Sequence, residues 1–323
     1  GGMLYVKLLG TVYGLFGYSH FLGCQLSQLS FSLTIIIILE CGTLLGFKTS
    51  SRFNWTIVTF GLLPSCILTT AVTMREAFQM TGFVLLFYGL LRIRVNGLDR
   101  GLLIAPLGAL WLIFFHKGFA IFLLFALPLG ALWATGSRAD KFLAATAAGF
   151  VVLFLFGDTL WFLMLEKSSS LQRIVEGEGL EYIDSYADKV LEGRTDFNVN
   201  LKLDSLGSFL ATGPLIYLYY LFSPLPWQIR GTLDIEGVGE SFVRAALMLF
   251  ALRGFFRARG EERRIQGFFL FLFFFMEMTW AAGTANWGTA IRHRLVAWPL
   301  LVLLGIKGLQ IGAGQELEIK APK

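Results

Sequence analysis

Four groups of charged and polar side chains interrupt a chain that is otherwise strongly apolar. They are Arg75-Glu76 with Gln79, His116-Lys117, Asp158, and Asn286-Trp287 followed by Arg292-His293-Arg294. Arginine presents planar, bidentate donors that suit diphosphate groups, and a histidine or carboxylate can accept a proton from a hydroxyl. If the four groups meet, they can hold a diphosphate leaving group while a base activates an acceptor hydroxyl.

The chemistry of each side chain predicts its role. The candidate catalytic bases are His293, Glu76, His116 and Asp158, and the sequence does not rank them. The candidate diphosphate ligands are Arg75, Arg292, Arg294 and Lys117, with Gln79, Asn286 and Trp287 as further substrate contacts. The chain has no HExxH, Walker A, GxSxG or paired CxxC motif, and few carboxylates cluster outside the long loop, so we expect neither a metal nor a cofactor.

Ordinary structural roles are open for most of these groups. The Arg75-Glu76 pair fits an ion pair at a helix boundary, and the His116-Lys117 pair fits side chains that snorkel to the membrane interface. Asp158 fits a hydrogen bond between packed helices. Residues 292–294 are the most informative, because consecutive cationic or titratable side chains on the outer side of a membrane run against the positive-inside rule. Residues 292–294 therefore favour binding of an anionic ligand.

The composition identifies the class of protein that positions these groups. Of the 323 residues, 55% are hydrophobic and only 15% are charged, and the mean hydropathy is +0.66. Soluble domains have about a quarter of their residues charged. This deficit excludes a disordered chain, a collagen-like fibre and a cytosolic enzyme, and it leaves a multi-spanning membrane protein. The net charge of +5 then fits basic cytoplasmic loops better than a nucleic-acid partner.

The apolar stretches predict an all-α bundle of about ten transmembrane helices, since a crossing needs about 20 mostly apolar residues. The candidate spans are 4–22, 29–47, 54–74, 77–92, 101–116, 118–135, 142–165, 240–256, 265–283 and 293–311. The N-terminal helices (1–165), an extracytoplasmic loop with an amphipathic helix (166–206) and the C-terminal part (207–323) form one integrated membrane domain in this prediction.

Positive charge predicts the orientation. The basic connections within 48–52, 92–100 and 138–141 follow the second, fourth and sixth spans, which places all of them in the cytoplasm. The strongest basic cluster, at 253–264, joins them only if 207–227 is a re-entrant or interfacial segment. Both termini then lie in the cytoplasm, and the four polar groups share the outer side.

Four segments resemble bacterial exopolysaccharide and O-antigen polymerases of the Wzy type, in the same order. They are LLPSCILTTAVTMREAFQMTGFVLLFYGLLRIR at 63–94, HKG at 116–118, LFSPLPWQIR at 221–230 and TANWGTAIRHRLVAWPLL at 284–301. The resemblance covers most of the chain from residue 54 onward. Topology defines these families more than strict signatures do, so the order and spacing of the segments carry the resemblance.

The resemblance implies a metal-independent glycosyltransferase of the C type in the bacterial inner membrane, with its site facing the periplasm. It implies that glycan moves from an undecaprenyl-diphosphate donor to an acceptor sugar. Arg75, Arg292 and Arg294 match the arginines that hold the diphosphate in the family, and His293 lies in the matching final motif. The expected partners are the lipid-linked oligosaccharide, the phospholipid bilayer and other polysaccharide assembly proteins, with no nucleic acid.

The sequence leaves three other functions open. A ligase would pass the finished glycan to a lipid or protein acceptor. A flippase or transporter would show inverted repeats and helices broken at mid-membrane, whereas the polar groups here collect at one face, which favours an enzyme. A non-catalytic subunit of a membrane complex is favoured if the outer arginines are dispersed and paired with local carboxylates.

Overall fold

The computed structural model describes residues 3–47, 50–97, 99–116, 118–135, 141, 206–281, 284 and 286–312. Its helices are α1 (Met3–Phe16), α2 (His20–Leu44), α3 (Ser50–Gly61), α4 (Pro64–Thr70), α5 (Glu76–Asn96), α6 (Gly101–Phe115), α7 (Phe119–Ala134), α8 (Leu206–Phe222), α9 (Thr232–Arg257), α10 (Gly260–Ala281), α11 (Trp287–Arg294) and α12 (Trp298–Gly312). No strand occurs within these ranges, which confirms the all-α class.

Three helical stretches are long and apolar enough to cross a membrane: His20–Leu44, Glu76–Asn96 and Trp287–Ile311. At about 1.5 Å per residue, such helices match a hydrocarbon core of about 30 Å. They support a membrane protein and are compatible with a phospholipid bilayer. The predicted span 142–165 and the predicted loop up to residue 205 lie outside the described residues, so the count of ten spans stays a prediction.

Contacts between α5, α6, α10 and α11 show which helix ends lie together. Glu76, at the start of α5, forms an ion pair with Arg292 of α11. His116, which follows α6, packs against Trp280 near the end of α10. We call this end of the bundle the Glu76 end.

The opposite end of the bundle contains Arg94 and is called the Arg94 end. Nη2 of Arg94 lies 2.7 Å from Oε2 of Glu261, at the start of α10. Lys307, near the end of α12, lies 2.9 Å from Glu262. The arginine-rich segment 253–264 therefore lies at the same end as Arg94, in line with the predicted grouping of the basic segments.

Helix α1 lies across the Glu76 end instead of running along the bundle. Tyr5 packs against Phe78 at 5.7 Å and against Phe115 at 6.3 Å between ring centroids, and both phenylalanines lie at the Glu76 end. The start of α2 also lies there, because Sγ of Cys24 is 3.8 Å from Oγ1 of Thr73. Both ends of α1 are thus held at the same end of the bundle.

The predicted span 4–22 is therefore wrong. Gly17 adopts a φ of 84°, a left-handed conformation that favours glycine, and Ser19 caps the new helix by accepting a hydrogen bond from the N–H of Leu22. The chain thus turns before residue 20. Lys307, near the end of α12, lies at the Arg94 end, so α1 and this part of α12 lie at opposite ends of the described bundle. The predicted cytoplasmic side of both termini stays a prediction.

The predicted span 54–74 and the segment 207–227, which was predicted to be re-entrant or interfacial, also differ from the helices observed. The stretch 54–74 is divided into α3 and α4 just before Pro64, since proline disfavours helical backbone at the residue before it. Residues 206–222 form one helix, α8, with Oη of Tyr217 donating to the carbonyl of Phe274 at 3.0 Å. The described part of the segment 207–227 is therefore a helix that runs in one direction, followed by a turn, and not a re-entrant hairpin.

Glycines allow the backbones of α5 and α6 to approach closely. A methyl group on Gly89 would collide with the backbone of Ala105, and one on Gly108 would collide with the backbone of Leu86. Helices in lipid have no hydrophobic driving force for association, so the close packing that small residues permit supplies much of their attraction. This packing holds α5, and with it Glu76, in a fixed position.

We expect Gly108→Ala to lower the melting temperature of the purified protein in detergent. The added methyl group must displace backbone atoms, and overpacking costs about 1–3 kcal/mol. Gly239→Ala in α9 is the matched control, because a methyl group there meets nothing within 4 Å. Its melting temperature should be unchanged or higher, since alanine favours helix over glycine. Equal melting temperatures for the two variants would contradict the packing argument.

Candidate functional site

An ion pair between Glu76 and Arg292 joins two parts of the chain that are 216 residues apart in sequence. Nη2 of Arg292 lies 2.5 Å from Oε1 of Glu76. Glu76 is only 2% exposed, whereas the Arg292 side chain is 45% exposed. Oε2 of Glu76 has no hydrogen-bond partner among the described residues. The ion pair thus joins a buried carboxylate to a partly exposed arginine, and Oε2 of Glu76 can still accept a hydrogen bond.

Arg75 directly precedes Glu76 and is half-buried at the start of α5. Among the residues that the structure describes, no carboxylate is within ion-pair distance of its guanidinium group. Its positive charge acts on the nearby ring of His116. Arg75 and Arg292 therefore flank a single buried carboxylate, so this part of the site has an excess of positive charge.

Hydrogen bonds determine the tautomer of His293. Oγ1 of Thr284 donates to the carbonyl of Trp280 at 2.8 Å, so this hydroxyl has only acceptor capacity left for Nδ1 of His293, 3.0 Å away. We therefore assign the ring proton of the neutral imidazole to Nδ1, which leaves Nε2 as an acceptor. His293 thus has the form that a general base requires.

His116 has the opposite tautomer. The backbone N–H of Gly118 donates to Nδ1 of His116 at 3.0 Å, so the ring proton of the neutral form lies on Nε2. Nδ1 of His116 thus serves as an acceptor, and the Nε2–H of the neutral ring can donate a hydrogen bond.

Trp280 joins the two histidines. The His293 ring is stacked on Trp280 with 4.1 Å between centroids and an angle of 25°. The His116 ring meets the same indole edge-on at 4.9 Å. Neither Trp280 nor Thr284 was predicted as a site residue. Nothing in the sequence signals their role, because it depends on contacts made by the folded helix ends.

Arg294 does not join this cluster. Its side chain is buried, and it donates to the carbonyls of Leu221 at 2.9 Å, Ser223 at 2.7 Å and Ala290 at 3.2 Å. These bonds attach the end of α8 to α11. Because its donors are directed at backbone carbonyls of the protein, we remove Arg294 from the predicted diphosphate ligands.

The three other predicted substrate contacts, Gln79, Asn286 and Trp287, lie in different surroundings. Gln79 lies one turn after Glu76 on the same face of α5, is buried, and has no partner among the described residues for its Nε2. Oδ1 of Asn286 accepts from the N–H of Thr289 at 2.8 Å and so caps α11, and Trp287 is buried in the core. The remaining two predicted site residues, Lys117 and Asp158, lie outside the described residues.

A second charged cluster lies behind α11, within the helix bundle. Nη1 of Arg244 is 3.3 Å from Oε1 of Glu277, and both side chains are almost fully buried. The Arg244 guanidinium also lies 4.4 Å from the centroid of Trp298. A small cavity adjoins it, lined by Glu240, Ser241, Arg244, Ile291, Arg294 and Trp298. The sequence signals this cluster by two ionisable residues inside predicted spans, Arg244 in 240–256 and Glu277 in 265–283.

We expect Arg244→Met to lower the free energy of unfolding strongly, because Glu277 loses its closest cation while it stays buried. Breaking a buried pair costs about 3–5 kcal/mol. The double variant Arg244→Met with Glu277→Met should recover most of this loss in thermal melting. Arg259→Met, at an exposed arginine, is the control and should leave the melting temperature unchanged. A double variant as unstable as the single one would show that the pair is not the cause.

Comparison of the whole chain with protein-family models, with curated proteins and with solved structures finds no match. The functional argument therefore depends on the geometry of the site. Three of the four predicted polar groups contribute residues to the Glu76 end: Arg75-Glu76, His116 and Arg292-His293. Within the described ranges, no three His, Cys, Asp or Glu side chains are grouped as they would be around a metal ion.

Proposed function

We propose that this protein is a membrane glycosyltransferase that lengthens a lipid-linked glycan. In this proposal, it transfers glycan from an undecaprenyl-diphosphate donor to a sugar hydroxyl at the periplasmic face of the bacterial inner membrane. The observation that carries the proposal is the Glu76–Arg292 ion pair with Arg75 beside it. It brings cations from distant parts of the chain together, next to two histidines.

Arg75 and Arg292 bind the diphosphate of the donor in this mechanism. Guanidinium groups donate paired hydrogen bonds to phosphate oxygens, and the exposed part of Arg292 is accessible from outside the protein. Glu76 holds Arg292 in place while the excess positive charge remains available. The arginines then stabilise the negative charge that develops on the leaving diphosphate.

His293 accepts the proton of the acceptor hydroxyl at Nε2. The acceptor oxygen forms the new bond to the anomeric carbon of the donor sugar, and the bond from that carbon to the diphosphate oxygen breaks. The bonding electron pair leaves with the diphosphate, to which Nε2–H of His116 can donate a hydrogen bond. Thr284 keeps His293 in the required tautomer. Lys117 and Asp158 stay predictions as a further phosphate ligand and an alternative base.

The arrangement of the arginines favours an enzyme over a non-catalytic subunit. A subunit would be favoured by dispersed arginines paired with local carboxylates. Arg292 pairs instead with a carboxylate 216 residues away, and Arg75 has no carboxylate partner in the described ranges. A ligase would use the same donor chemistry and is distinguished from a polymerase by the experiment below.

The lipid-linked glycans of cells that lack this protein test the proposal. A polymerase defect predicts that the lipid diphosphate carrying a single repeat unit accumulates on the periplasmic leaflet. Long glycans that remain on the lipid would identify a ligase instead, and single units confined to the cytoplasmic leaflet would identify a flippase. An unchanged pool of lipid-linked glycans would contradict a role in this chemistry.

A further inference from the structure

The turn between α9 and α10 carries an unusual concentration of exposed positive charge. Its arginines are Arg253, Arg257, Arg259, Arg263 and Arg264, and all five are exposed. We call residues 253–264 the arginine turn. It lies at the Arg94 end, opposite the candidate site, and none of its arginines has a role in the proposed transfer reaction.

The arginine turn contains two acidic residues, Glu261 and Glu262. They do not neutralise its outer surface. Glu261 pairs with Arg94 of α5, and Glu262 pairs with Lys307 of α12. Both carboxylates are thus engaged by cations of the helix bundle. Arg264 lies 3.8 Å from Glu261 and its side chain is 73% exposed, which leaves its charge available to solvent.

Exposed apolar side chains border the arginine turn on the side of the helices. Leu249 is 66% exposed and Phe256 is 69% exposed on α9, and Phe271 is 44% exposed on α10. In a helical membrane protein, exposed apolar side chains face lipid tails, and arginines next to them reach the headgroups. The surface changes from exposed apolar side chains to exposed arginines at the arginine turn.

We propose that the arginine turn is a docking surface for anionic phospholipid headgroups. The headgroup phosphates supply negative charge to these exposed arginines, and guanidinium groups bind phosphate in a bidentate manner. Clusters of basic residues beside a membrane attract anionic lipids in this way. A soluble polyanion such as RNA is disfavoured, because the surface borders lipid-facing side chains.

The test measures the lipid preference of the purified full chain in nanodiscs that contain dioleoylphosphatidylglycerol and dioleoylphosphatidylcholine. The ratio of the apparent affinities for the two lipids should be well above 5, since each arginine near a membrane surface contributes roughly a fivefold preference. The ratio should fall as salt is raised, because salt screens exposed charges. Both measurements use the wild-type chain and do not depend on any variant folding correctly.

Two matched variants then locate the preference. One replaces four arginines by glutamine (Arg253→Gln, Arg259→Gln, Arg263→Gln and Arg264→Gln), and the other replaces the same four by lysine. The glutamine variant keeps Arg257, so it should lower the ratio to about 5, and the lysine variant should retain most of the wild-type ratio, because it keeps the charge. The proposal is overturned if the wild type has no preference, if the glutamine variant keeps the wild-type ratio, or if the lysine variant loses it. Salt-sensitive binding of an RNA oligonucleotide without any lipid preference would also overturn it.

Discussion

Arg75→Ala and Arg292→Ala are each expected to abolish detectable growth of the glycan chain. Both side chains lie at the Glu76 end, where they supply the cations for the diphosphate. Removing one donor that stabilises developing negative charge lowers rates by about a hundredfold to a thousandfold. The measurement is the chain-length distribution of the glycan in cells that carry only the variant protein, with protein level and membrane insertion followed by immunoblot.

Arg259→Ala is the matched control for this experiment, because Arg259 is an exposed arginine at the Arg94 end. It should leave chain lengths unchanged. Arg292→Ala also leaves Glu76 buried without its cation, so the double variant with Glu76→Gln should restore stability without restoring activity. Wild-type chain lengths in both Arg75→Ala and Arg292→Ala would show that these arginines do not act in the reaction.

His293→Gln is expected to lower the transfer rate by about a hundredfold to ten-thousandfold, which is the usual contribution of a general base. Glutamine keeps a polar group near Thr284 and Trp280 but has no basic nitrogen. Thr284→Val should also reduce the rate, by a smaller factor, because the imidazole is no longer held with its proton on Nδ1. Thr284 is thus a positioning residue, and a changed pH profile in Thr284→Val would distinguish this role from loss of structure.

Thr279→Val is the control for the hydroxyl. Thr279 lies in α10, whereas Thr284 follows the end of that helix. Oγ1 of Thr279 donates to the carbonyl of Phe275 at 2.8 Å, as Oγ1 of Thr284 donates to that of Trp280. Only Thr284 also contacts a histidine. Equal transfer rates and equal pH profiles for the two valine variants would exclude the assigned tautomer as a cause of activity. Transfer at the wild-type rate in His293→Gln would remove His293 as the base.

The sequence by itself determined the class of the protein and the end of the bundle at which several site residues meet. Composition and the lengths of apolar stretches are properties of short segments, so they predicted helices without reference to packing. The charge pattern of the connections grouped Arg94 with the arginine turn, which the structure shows at one end. The same pattern placed Arg75, Glu76, His116 and residues 292–293 together.

The tertiary structure decided which side chains face each other. Arg292 and Arg294 are two residues apart, and at about 100° per residue they project from nearly opposite sides of α11. Only packing determines that Arg292 meets Glu76 while Arg294 meets the carbonyls at the end of α8. The tautomers of the histidines and the course of α1 likewise depend on contacts between residues far apart in sequence, which local patterns do not encode.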